Sequence, residues 1–148
     1  MQVLIRRGGR NDVVGLREFL GRANLGTDGL NEDTVDCFLL MEDENGGLKG
    51  TLGMEVFEEA GLLRSLVVSP GQAEQDIFIL MEQMVKLAKE KGLKNLFLAT
   101  NKNGAVAFFE WIGFAQMERE KLPLELSRSE HIRHLLSVDN SLFFKFEL

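Results

Sequence analysis

The chain has 148 residues, 45% hydrophobic and 27% charged, with a formal net charge of −6 and a pI near 5.0. That length fits one domain, residues 1–148, around a single core, and an acidic balance without a long basic run argues against nucleic acid as a partner. No apolar run reaches the ~20 residues that cross a bilayer, and no signal-peptide stretch follows Arg6 and Arg7, so a cytoplasmic protein with no membrane contact is expected.

The start, QVLIRR, alternates as a first strand. Asn11 or Asp12 can then cap a helix whose apolar face is Val13, Val14, Leu16, Phe19 and Leu20. Gly21 to Asp36 is polar and irregular, with Gly26 and the pair Asp28-Gly29, and reads as a loop with room for one more helical turn. CFLLMED is a strand, ENGG a tight turn and LKGTLGMEVF the returning strand of a hairpin. The single Cys37 can form no intramolecular disulfide and has no metal-ligand spacing around it; in so apolar a strand a buried structural thiol is expected.

A second turn at Glu58 to Gly61 leads into LLRSLVVSP, a buried strand ending at Pro70. The helix that follows, Asp76–Lys91, carries Ile77, Leu80, Met81, Met84, Val85 and Ala88 at three- and four-residue spacing and stops at Gly92. Lys86, Lys89 and Lys91 suit its negative dipole end. Asn95–Thr100 is a strand joined to LLRSLVVSP through that helix, so the two should run parallel. A helix from about Gly104 to Trp111 ends at Gly113, and SLFFKFEL is an alternating last strand. FFKF could extend a sheet to a neighbouring copy, although pairing with the fifth strand explains it equally well.

This order of elements resembles the GNAT family of N-acetyltransferases over essentially the whole chain. Ala105-x-x-Phe108-Phe109-x-x-x-Gly113-Phe114 looks like the family's A-x-x-x-[YF]-x-x-x-G-F signature. Gly53-Met54-Glu55 followed by Gly61-Leu62-Leu63-Arg64-Ser65-Leu66-Val67-Val68 is similar to the small GNAT proteins of arsenic-resistance operons, as are Pro123 and the Ser129 segment. The resemblance implies an α/β (α+β) fold: a mixed, twisted sheet of about six or seven strands with helices on both faces. It also implies acetyl-CoA as co-substrate and no metal. The pantetheine arm would pair with the main chain of Leu66, Val67 and Val68. The pyrophosphate would sit on backbone N–H groups at the following helix N-terminus.

That phosphate loop normally reads [QR]-x-x-G-x-[GA]. Counted from Pro70, its positions fall on Ala73, Glu74, Gln75, Asp76, Ile77 and Phe78, so an acid and a phenylalanine replace the two small residues. Each carboxylate within ~5 Å of a pyrophosphate opposes it by ~1 kcal/mol or more after screening. The loop is read either as an ordinary helix cap or as an unusual cofactor site. Two functions stay open accordingly: an N-acetyltransferase acting on a small amine, or a GNAT-fold binding or regulatory module that does not use acetyl-CoA. A homodimer or a protein partner fits either.

For the chemistry, the resemblance puts the base that deprotonates the amine at Glu55, with Glu58 and Glu59 as other candidates. Phe109 stands where many relatives have a tyrosine acid, and the chain has no tyrosine at all. Arg64 could bind an acidic group of the substrate or serve as a structural ion-pair residue. His131 and His134 lie three apart without further Cys or His nearby, so a metal site is not expected.

Overall fold

A computed structural model describes residues 3–27, 29–72, 74–138 and 140–148. It contains a seven-stranded mixed sheet in the order β1-β2-β3-β4-β5-β7-β6. The strands are β1 Leu4–Arg7, β2 Phe38–Glu42, β3 Leu48–Phe57, β4 Ala60–Val68, β5 Asn95–Thr100, β6 Ala115–Met117 and β7 Leu142–Glu147. The helices are α1 Val13–Arg22, α2 Glu74–Glu90, α3 Val106–Ile112 and α4 Glu130–Leu136. The chain forms two compact units, Met1–Met54 with Arg64–Met84, and Glu55–Leu63 with Val85–Leu148.

In the first unit β1 and β2 pair antiparallel, Leu4 opposite Glu42, and β2 returns antiparallel along β3, Phe38 opposite Gly53. A Cβ on Gly53 would collide with the Phe38 ring, which is why this strand carries a glycine in its interior. The core of this unit is Val13, Leu16, Leu20, Leu30, Val35, Phe38 and Leu40. Val14 is 68% exposed and does not belong to it: at 100° per residue, Val13, Leu16 and Leu20 already define the inner stripe of α1. The expected cap is also different. Asp12 makes no side-chain cap; its carboxylate accepts from the Gly9 N–H at 2.7 Å and from Arg6 at 2.8 Å on both oxygens.

Cys37 is not part of β2. A 3-10 turn over Val35–Cys37, closed by the Cys37 N–H on the Thr34 carbonyl at 3.0 Å, holds it half-buried just before the strand begins at Phe38. Gln2 and Asp28, placed in the first strand and the loop by the sequence reading, lie outside the described residues.

In the second unit β4 and β5 run parallel, Ala60 opposite Asn95 and Leu62 opposite Phe97. The crossover helix α2 dictates that direction. β7 then pairs antiparallel with all of β5, Asn95 opposite Glu147 through Thr100 opposite Leu142, and with β6 through Phe143, Phe144 and Lys145. Phe143, Phe144 and Lys145 of FFKF are thus paired on both sides within the chain, and Phe146 on the β5 side. Its core gathers Ala60, Leu62, Phe97, Leu126, Ile132 and Phe143. Helix α2 starts at Glu74, earlier than expected, and ends where Gly92 adopts φ +76 and the Leu93 N–H reaches back to the Ala88 carbonyl at 3.1 Å. The predicted helix near Gly104 opens as a 3-10 turn over Asn103–Ala105 before α3.

Candidate active site

Strand β4 is irregular at its middle. Ser65 has φ +57 and is 8% exposed, a left-handed conformation that a buried serine adopts only when its surroundings impose it. Thr51 on β3, fully buried, supports this conformation: its hydroxyl donates to the Ser65 carbonyl at 2.8 Å. Beside it Arg64 is 8% exposed; its Nε donates to the Ser65 hydroxyl at 3.3 Å and its Nη2 to the Gly26 carbonyl at 3.2 Å. Burial and these partners favour the structural reading of Arg64, which ties the loop after α1 to the distorted strand.

Past the kink, Leu66, Val67 and Val68 are half-buried, and the Ser69 N–H donates to the Lys49 carbonyl at 2.8 Å. Ser69-Pro70-Gly71-Gln72 then makes a turn, with Gly71 at φ +93 and the Gln72 N–H on the Ser69 carbonyl at 3.3 Å. Pro at the second position and Gly at the third are what such a turn requires. At the start of α2, Glu74 and Asp76 put two acids in the first turn. The Gln72 Nε2 donates to Asp76 Oδ2 at 3.1 Å, folding the turn onto the helix end. Glu74 and Gln75 are exposed, while Asp76, Ile77 and Phe78 are half-buried. Ala73 lies outside the described residues.

In the second unit, Glu55 is a half-buried carboxylate near the end of β3. The hydroxyl of Ser129, 1% exposed, donates to Glu55 Oε1 at 2.6 Å across 74 positions of sequence. The same hydroxyl accepts the Ile132 N–H at 3.3 Å as the N-cap of α4, so a helix cap fixes its direction. Two residues further along β3, and on the same face, the half-buried Phe57 carries the guanidinium of Arg128, 5.4 Å from the ring centroid.

The other candidate bases lie elsewhere. Glu58 and Glu59 form the exposed turn after β3, with Glu58 at φ +57 and Glu59 ion-paired to Lys94 at 3.0 Å. Phe109, 7% exposed, packs among Phe108, Phe114 and Phe144 with ring centroids 5.8, 6.3 and 5.7 Å away. His131 is half-buried and His134 exposed on α4. Among the described residues no group of three His, Cys, Asp or Glu could hold a metal ion, and no helix is long and apolar enough to cross a membrane.

The uncharacterized protein YwlB of Bacillus subtilis (strain 168) is 30% identical over 145 residues, 97% of this chain and 95% of YwlB. The chain belongs to the YwlB family. No protein-family model matches it. Its fold is that of GNAT acetyltransferases. N-acetylglutamate synthase from Neisseria gonorrhoeae, complexed with coenzyme A and N-acetyl-glutamate, superposes with a TM-score of 0.80 at 20% identity over 100% of this chain. This YwlB-family chain spans about a third of that enzyme, 35% of its length. Rv2747 from Mycobacterium tuberculosis, in complex with CoA, gives 0.74 at 19% identity, covering 98% and 99% of the two chains. A GNAT-family acetyltransferase from Staphylococcus aureus Mu50 gives 0.71 at 19% identity, covering 99% of each.

Proposed function

We propose that the protein transfers an acetyl group from acetyl-CoA to a small amine, with Glu55 as general base. The observation that carries this reading is the Ser129–Glu55 hydrogen bond, a buried hydroxyl spent on orienting one strand carboxylate. The likeness of Gly53-Met54-Glu55 and Leu63-Arg64-Ser65-Leu66 to the arsenic-operon proteins supports it. Glu55, directly or through one water, takes a proton from the ammonium form of the acceptor. The freed nitrogen attacks the thioester carbonyl, the C–N bond forms as the C–S bond breaks, thiolate leaves, and the acylated nitrogen sheds its extra proton to solvent water to give the neutral amide. Phe109 has no proton to give, so the thiolate is protonated by water, which a thiol with pKa near ~8.5 tolerates.

In this reading the main chain of Leu66, Val67 and Val68 would pair with the pantetheine arm, and the positions Ala73, Glu74, Gln75, Asp76, Ile77 and Phe78 would face the phosphates. Glu74 and Asp76 make that end a poor phosphate anchor, so most donor affinity comes from the pantetheine side. A second reading, a GNAT-fold module that does not use acetyl-CoA, is favoured by one observation: the Gln72–Asp76 hydrogen bond, which folds the preceding turn onto the start of α2. Thiol release from acetyl-CoA over a panel of small amines separates the two. The enzyme reading expects release above background hydrolysis, lowered by about 10²-fold or more in Glu55→Gln. Background-level release with every amine contradicts it.

A further inference from the structure

The surroundings of Glu55 restrict which amine the proposed reaction would accept. Arg128 immediately precedes Ser129, so one short segment brings a cation and the Glu55-orienting hydroxyl to the same face of β3. The guanidinium is already positioned: its plane is backed by Phe57 at 5.4 Å, and its Nε is committed to the Glu125 carbonyl at 3.2 Å. Among the described residues its two terminal Nη groups make no hydrogen bond and no ion pair. Stacking on a ring leaves that outer edge as a fork of donors directed outwards, the geometry that takes a carboxylate by two parallel bonds. Residues 55 and 57 lie about 7 Å apart along the strand. The base and the guanidinium over Phe57 therefore sit on one strand face, neighbours on that face, an arrangement that suits a short molecule with an ammonium and a carboxylate on one carbon.

We propose that Arg128 binds the carboxylate of the acceptor, so that the substrate class is amino acids rather than simple amines. This rests on the acetyltransferase reading and extends it. Arg64, the other arginine considered for that role, is buried and bonded to the Gly26 carbonyl and the Ser65 hydroxyl.

The test compares kcat/KM, by thiol release from acetyl-CoA, for the standard amino acids and their decarboxylated counterparts. At least one amino acid should exceed its decarboxylated partner by about 10- to 100-fold, the range of a charge-assisted hydrogen-bond pair. Arg128→Gln should abolish that advantage through KM while leaving the decarboxylated amine unchanged, and Arg128→Lys should restore part of it. A loss of both substrates alike in Arg128→Gln marks a merely structural role and overturns the proposal. Equal rates within every pair in the unmodified protein overturn it too, while leaving acetyl transfer intact. No transfer to any compound overturns both.

Discussion

The Thr51 hydroxyl donates to the carbonyl of Ser65 at 2.8 Å, at the point where the middle of β4 turns into a left-handed kink. The kink costs of order 1–2 kcal/mol at a non-glycine residue. Removing the donor with an isosteric side chain takes away the bond without changing the shape. Thr51→Val should therefore lower unfolding free energy by about 1–3 kcal/mol. Ser65→Gly should cost less than Thr51→Val, because glycine accepts φ +57 freely and this relief of up to ~1 kcal/mol offsets part of the loss of the hydroxyl that accepts from Arg64 Nε. Urea denaturation of both variants measures the two effects.

The Arg6 guanidinium bridges Asp12 at 2.8 Å and Glu42 at 2.7 Å. Its hydrogen bonds hold the Asp12 carboxyl below the usual carboxylate range, with the Gly9 N–H adding to the effect; Asp12 and then Glu42 keep Arg6 protonated above its ordinary value. A carboxylate depressed in the folded state contributes stability above its unfolded pKa of about 3.9 and loses it as pH falls through the lower folded value. Asp12→Asn should cost about 1–2 kcal/mol at pH 7, discounted because Arg6 is partly exposed. The difference between variant and parent should shrink below pH 4. A pH series of melting curves checks it; a constant difference down to pH 2 contradicts it.

Much of the fold was legible because periodicity and turn chemistry agree in this chain. The apolar run CFLLMED, the ENGG turn before LKGTLGMEVF, the Gly92 stop and the crossover rule lead to the hairpin and to parallel β4 and β5. β6 was not legible: Ala115 and Gln116 are exposed and Met117 half-buried, so three residues carry no apolar pattern. Cys37 was misplaced because apolar composition cannot separate the last residue of a 3-10 turn from the first of a strand. At the candidate site, Glu55 was reachable through its motif and the acids at the start of α2 through counting from Pro70. The Ser65 kink and the Arg128 stack had no local signal. Both depend on partners, Thr51 and Phe57, that are 14 and 71 positions away by number in the sequence.

Glu74 and Asp76 oppose a pyrophosphate at the start of α2, and Phe78 stands where the resemblance places a small residue. The double change Asp76→Gly with Phe78→Gly should tighten acetyl-CoA binding by about fivefold or more, at ~1 kcal/mol for the charge alone. Two glycines near the start of a helix cost up to ~1 kcal/mol of stability each, so binding and melting are to be measured together. Calorimetry that finds the unmodified protein already binding at micromolar strength contradicts this account of the loop.

If Glu55 is the base, Glu55→Gln should lower turnover most near neutral pH and least at high pH, where more amine is already neutral. Ser129→Ala should give a smaller loss of the same kind, about tenfold, since the carboxylate stays but its direction is released. Phe109→Tyr adds a hydroxyl within a ring cluster, so any gain from protonating the thiolate is set against a buried polar group. Activity equal to or above the parent is expected. A Glu55→Gln profile parallel to the parent at every pH removes Glu55 from the mechanism.

The most direct test of the central claim, that this chain uses acetyl-CoA, is a thermal-shift titration with that compound. A ligand that binds only the folded state stabilises it by ~2.7 kcal/mol at a hundred times its dissociation constant. The account predicts a rise in melting temperature that continues into the millimolar range and is reproduced by acetyl-pantetheine, because the acids of α2 give the phosphates little advantage. No rise with either compound at millimolar concentration would contradict it and leave the non-catalytic module.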